Sequence, residues 1–69
     1  MTQEKNGYVD YWNELRGFGF CRVEGETERY FTHVTNIVFG APQSGMAATF
    51  EVGKSSRGLV AVNVRVGAQ

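Results

Sequence analysis

Polar and apolar residues alternate along most of this chain, and helical periodicity is nearly absent. Residues 60–66 show the cleanest case, with valines at every second position. The pattern predicts a strand with Val60, Val62, Val64 and Val66 inward and Ala61, Asn63 and Arg65 outward. Residues 46–52 predict another, where Ala48, Phe50 and Val52 share a face against Thr49 and Glu51. Earlier in the chain, residues 7–13 are rich in the Tyr, Val and Trp that strands favour. Residues 17–23 and 29–34 read as second and third strands, separated by a turn at 24–27. Residues 35–45 hold Gly40, Pro42 and Gly45 and are expected to be irregular. There Thr35 is expected to cap one helical turn through Asn36 and Ile37, with Ile37 plugging the core. Residues 53–58 read as a plain turn.

Five short strands with one long connection, and no helix to cover a flat sheet, predict closure into a small antiparallel barrel. The expected fold class is all-β, as a single domain over residues 1–69 with its core at about 7–66.

Within that frame two stretches stand out, Arg16-Gly17-Phe18-Gly19-Phe20 and Tyr30-Phe31-Thr32-His33. Side chains alternate across the pleat, so Phe18 and Phe20 point one way, and Phe31 and His33 do the same on their own strand. If the two segments pair as a hairpin, four flat rings share a face. Alternating Phe residues usually face a core. Here, however, Cys21, Val23 and Tyr30 make the opposite face apolar as well. One face is then left as an exposed aromatic patch, which suits unstacked nucleic-acid bases because every base has a π surface.

The seven cations and seven anions balance, so charge alone does not point to nucleic acid. Glu24, Glu26 and Glu28 cluster in one short stretch, leaving seven cations against four anions elsewhere. Arg16, Lys54 and Arg57 are expected near loops or strand ends, where they would rim a binding face. The lone Cys21 cannot form an internal disulfide and is expected as a small buried hydrophobe. One Cys and one His are too few for a zinc site, and no acid pair or nucleophile with its base suggests catalysis, so neither metal nor cofactor is expected. No apolar run reaches membrane-spanning length, and residues 1–6 lack the apolar stretch of a signal peptide. A cytoplasmic location is the expectation.

Three signatures, in order, resemble the cold-shock domain, a five-stranded oligonucleotide-binding barrel, from about Gly7 to Val66. Gly7-Tyr8-Val9-Asp10-Tyr11-Trp12-Asn13 is similar to the family's opening Gly-x-Val-Lys-Trp-Phe-Asn. Arg16-Gly17-Phe18-Gly19-Phe20-Cys21 resembles its Lys-Gly-Phe-Gly-Phe-Ile, and Tyr30-Phe31-Thr32-His33-Val34 its Val-Phe-Val-His-Phe. The resemblance implies binding of single-stranded RNA or DNA with low sequence preference, in an RNA-chaperone, antitermination or other transcription-regulating role, and no catalysis. It implies Phe18, Phe20, Phe31 and His33 as the stacking platform and Tyr11 and Trp12 beside it. Strict alternation would expose only one of that last pair unless a bulge intervenes. Asn13 and Arg16 would make polar contacts, Arg57 a basic one, and Phe39 would supply a loop aromatic.

Departures bear on the expectation. Asp10 stands where the family has a lysine, Val34 where it has an aromatic, and Tyr30 where a small valine is usual. The Tyr30 ring must then pack and its hydroxyl must find a partner. The competing reading is a barrel that has lost nucleic acid and serves protein interaction. A monomer is expected, with strand exchange through residues 35–45 as the alternative.

Overall fold

The computed structural model describes residues 4–56 and 58–67. Its strands are β1 (Glu4–Asn13), β2 (Phe18–Arg22), β3 (Tyr30–His33), β4 (Ile37–Phe39), β5 (Ala47–Ser55) and β6 (Gly58–Val66). They lie in the order β3-β2-β1-β5-β6, and a parallel pairing of Phe31 with Val60 joins β3 to β6 and closes the ring. The fold is thus the expected all-β, five-stranded closed barrel, antiparallel everywhere except at that seam. The short β4 is added to β6 beyond it, parallel as well. Because β5 runs along the whole of one edge of β6, β3 and β4 follow one another along the other edge.

The interior is built from Val9, Cys21, Tyr30, Ala48, Phe50, Ala61, Val64 and Val66. Thr32 is the buried polar residue among those described, and its hydroxyl lies 3.2 Å from both the Cys21 sulfur and the Tyr30 carbonyl. Burial pushes the Cys21 thiol above its usual range. As expected, Cys21 is a small buried hydrophobe. Tyr30 fills the interior with its ring, 5.2 Å from Phe50, and its hydroxyl donates to Glu26 at 3.0 Å. Glu26 also accepts from Lys5 at 2.8 Å, so the start of β1, the β2–β3 turn and β3 are tied at one point.

Several expectations need correction. The alternation expected along β6 fails at Asn63, whose φ of 51° places it in the left-handed region. Between the pairs Thr49/Arg65 and Glu51/Val62, β6 carries one residue more than β5. That bulge reverses which side points inward. Val64 and Val66 are buried as expected, but before the bulge it is Ala61 that is buried, with Val60 and Val62 only half-buried. The turn expected at 53–58 is mostly strand, since β5 continues to Ser55 and β6 resumes at Gly58. The expected irregular segment contains β4, held by its pairing to β6. Before it Val34–Asn36 form one 3₁₀ turn whose cap is His33, not Thr35, because the imidazole accepts from the Thr35 N–H. Ile37 is half-buried against the core.

Candidate nucleic-acid interface

The outer surface of β1, β2 and β3 is laid out by register. β2 has a strict burial alternation in which Gly19 and Cys21 face in while Phe18, Phe20 and Arg22 face out. β3 repeats it, with Tyr30 and Thr32 inside and Phe31 and His33 outside. Phe18 lies opposite His33, and Phe20 opposite Phe31. On the other side β1 places Asn13 opposite Phe18 and Tyr11 opposite Phe20. Two cross-strand rows result, Asn13–Phe18–His33 and Tyr11–Phe20–Phe31.

A second bulge makes this possible. Between Val9/Cys21 and Tyr11/Phe20, β1 contains one residue more than β2. With Val9 buried, strict alternation would turn Tyr11 inward. The extra residue, Asp10, resets the parity, so Tyr11 emerges 45% exposed. Trp12 consequently turns to the inner side. It is half-buried against the core, and its Cε3 lies 2.8 Å from where a Gly19 Cβ would stand. The structure therefore does not bring Trp12 onto the outer face with the other rings. It also explains the glycine between the two phenylalanines, because any side chain there would strike Trp12 and the Tyr11 carbonyl.

The rings touch one another. Phe31 sits 5.9 Å from Phe18, tilted by 31°, and 5.9 Å from Phe20, edge-on at 72°. Both separations fall in the range where aromatic pairs attract. Each of the three rings is half-buried, whereas Phe50 of the core is 1% exposed. They form a fixed surface with one side wet.

Polar groups frame the rows. Asn13 donates from Nδ2 to the Tyr11 hydroxyl at 3.2 Å, and its Oδ1 accepts from the Arg16 N–H at 3.1 Å. The turn is closed by the Gly17 N–H on the Asn13 carbonyl and the Val34 N–H on the Gly17 carbonyl, both 2.8 Å. Gly17 needs its freedom there, with φ of 72°. His33 Nδ1 accepts from the Thr35 N–H and lies 2.9 Å from the Thr35 hydroxyl. With Nδ1 accepting, a neutral imidazole carries its proton on Nε2.

Phe39 is 59% exposed but stands apart. It pairs with Arg65 and Phe31 with Val60. At about 3.3 Å per residue, that sets the two positions roughly 15 Å apart along β6. Arg16 is exposed at the end of the Asn13 row, and Arg57 lies outside the described residues. Among the described residues, no three of His, Cys, Asp and Glu gather as a metal site would require.

One participant escaped the sequence reading. The Arg29 guanidinium lies over the Phe20 ring, 5.4 Å from its centroid. Only the β2–β3 register puts Arg29 beside that ring, and nothing local to Arg29 signals it.

A closed five-stranded barrel with this connectivity has the architecture of the oligonucleotide-binding fold, and its β1–β3 face carries the rings. The family model described as the 'Cold-shock' DNA-binding domain matches residues 5–66. The chain belongs to that family. Among its curated relatives, Cold shock protein CspA of Staphylococcus aureus (strain USA300) is 37% identical over 62 residues, covering 87% of this chain and 94% of the relative. The proteins of the same name from Staphylococcus saprophyticus and Staphylococcus haemolyticus are each 36% identical over the same share. Nucleic-acid binding is the family's general property.

Proposed function

We propose that the protein binds single-stranded RNA or DNA by stacking bases on the outer face of β1–β3, with little sequence preference. The observation that carries this reading is the trio Phe18, Phe20 and Phe31, with Phe31 touching both others and all three only half-buried on the outer face. In a barrel this small, leaving three contiguous phenylalanines partly wet forgoes burial that would stabilise the fold. Stacking suits a chain with no net charge, because it needs a π face and not a phosphate. His33 Nε2–H and the Asn13 amide offer polar contacts at the edge of the same surface. An RNA-chaperone or antitermination role is the corresponding cellular reading.

Titration of labelled oligo-dT and oligo-U by fluorescence anisotropy tests it. Phe31→Ala, which removes the ring touching both others, should weaken binding by about 1–3 kcal/mol, and Phe18→Ala by a similar amount. Circular dichroism should show the barrel intact in both. Absence of any binding by the unaltered protein at low salt would end this reading. A partner captured equally well after nuclease treatment would then favour the protein-interaction alternative.

A further inference from the structure

The two rows of the outer face have a third beyond them. Arg22 is the next outward residue of β2 after Phe20, and Tyr8 lies opposite it on β1. Cys21 pairs with Tyr30, so the residue facing Arg22 on the β3 side is Arg29, just before the strand begins. The face thus continues as Tyr8–Arg22–Arg29 after Tyr11–Phe20–Phe31. Arg29 leans back over Phe20 and joins the second row to the third.

Among the described residues, no acid forms an ion pair with either arginine. The ion pair present among those residues is Lys5–Glu26, which uses the middle acid of the turn between the two arginines and neither arginine. Arg22 Nε is buried without a hydrogen-bond partner, and such a donor calls for an explanation. Asp10, the bulge residue, lies on the same strand as Tyr8, and the turn between the two arginines carries Glu24 and Glu28, both exposed, beside Glu26, which Lys5 already engages. The face as a whole therefore has Arg16 at one end, rings in the middle and two arginines at the other.

We infer that Tyr8, Arg22 and Arg29 form an additional subsite that takes the phosphate of a further nucleotide while its base meets the Tyr8 ring or the Arg29 guanidinium plane. This rests on the outer face being the single-strand site. Arginine suits the role because its planar group can lie on an aromatic ring and still present hydrogen-bond donors to a phosphate. Arg29 is exposed, so its charge meets an incoming strand without rearrangement of the core. The subsite would also supply cations to a face where Asp10 places a negative charge.

The test compares the unaltered protein with Arg29→Ala, Arg29→Lys, Arg22→Gln and the double variant R22Q/R29A. Each is titrated with a length ladder of oligo-dT at several salt concentrations. Neutralising either arginine should weaken long oligomers several-fold and flatten the plot of log affinity against log salt by about 0.7. Oligomers too short to leave the two aromatic rows should bind all proteins alike. Arg29→Lys should restore the salt slope. Thermal melts guard against loss of fold in Arg22→Gln, and Arg29 variants supply the same answer at an exposed position. Unchanged slopes with unchanged affinity would overturn the subsite while leaving the stacking face standing, as would tighter binding by Arg29→Ala, which would mean the guanidinium only obstructs Phe20. If even the unaltered protein ignores every oligomer, the stacking face itself falls and this subsite with it.

Discussion

Inside the β2–β3 hairpin lie Gly19, Cys21, Tyr30 and Thr32, and outside it lie Phe18, Phe20, Phe31 and His33. Ranked by apolarity alone, the outer set would be placed indoors. Space decides otherwise. A five-stranded barrel has a narrow interior, and here the rings of Phe50 and Tyr30 already meet inside it at 5.2 Å. Thr32 and Cys21 fit around them, and the Trp12 ring crosses the place where Gly19 has no side chain. The contrast shows that the outer rings lie outside the core and are only half-buried there.

The largest expected effect tests the inner half of that contrast. Phe50→Ala should cost about 3–5 kcal/mol by leaving a cavity at the centre. Small domains hold only about 5–15 kcal/mol in total, so urea titration should show a greatly weakened or unfolded protein. Phe31→Ala, an equal truncation on the outer face, should leave the urea midpoint far closer to the original. Equal losses at the two sites would erase the distinction between the faces.

Gly19→Ala sharpens the comparison next, because it adds one methyl group to the inner face beneath the phenylalanines. That carbon would meet the Tyr11 carbonyl, which belongs to the backbone and cannot swing aside, and Trp12 Cε3 at 2.8 Å. Overpacking of this kind costs about 1–3 kcal/mol. The same change should alter Trp12 fluorescence in the free protein. A neutral result by calorimetry would mean that the space under the rings is not full.

Much of this was legible in the residues. The alternation in β2 and β3 and the glycine between two phenylalanines define both faces before any coordinates, and the pairing of Phe20 with Phe31 follows from the turn between them. Two bulges were not legible. Asp10 and Asn63 each sit in an apparently regular strand, and a shift of one residue exchanges inside for outside without changing composition. Poor strand formers flanked by Val and Tyr were the available signal, and Asn tolerates a left-handed backbone. The strand β4 is too short for periodicity and exists through its pairing with β6. Trp12 shows the cost of missing a bulge: a motif places it beside Tyr11, while the parity of β1 carries it to the other side. Arg22 and Arg29 were missed because a charge at a strand position reads as solvated until the register brings two together.

The smallest expected effect concerns the tie beneath the barrel, where the inner face reaches the surface through the Tyr30 hydroxyl. Hydrogen bonds from Lys5 and then Tyr30 hold the Glu26 carboxyl below the usual glutamate range. A lowered acid contributes stability that is present above its unfolded value, near pH 4.3, and is lost as pH falls through the folded one. On the alkaline side, burial first and the Glu26 contact second raise Tyr30, while the Glu26 hydrogen bond raises Lys5. Stability from both is complete below about pH 10 and declines as pH rises towards their raised values. Glu26→Gln should therefore flatten the acid limb of the melting-temperature profile and reduce the alkaline one. Tyr30→Phe should spare the Lys5 part of the acid limb. Because Glu26 and Lys5 meet near solvent, moderate salt should shrink these differences. An acid limb equally steep in Glu26→Gln would show that the tie contributes nothing to holding the inner face, and that packing around Phe50 and Tyr30 holds it unaided.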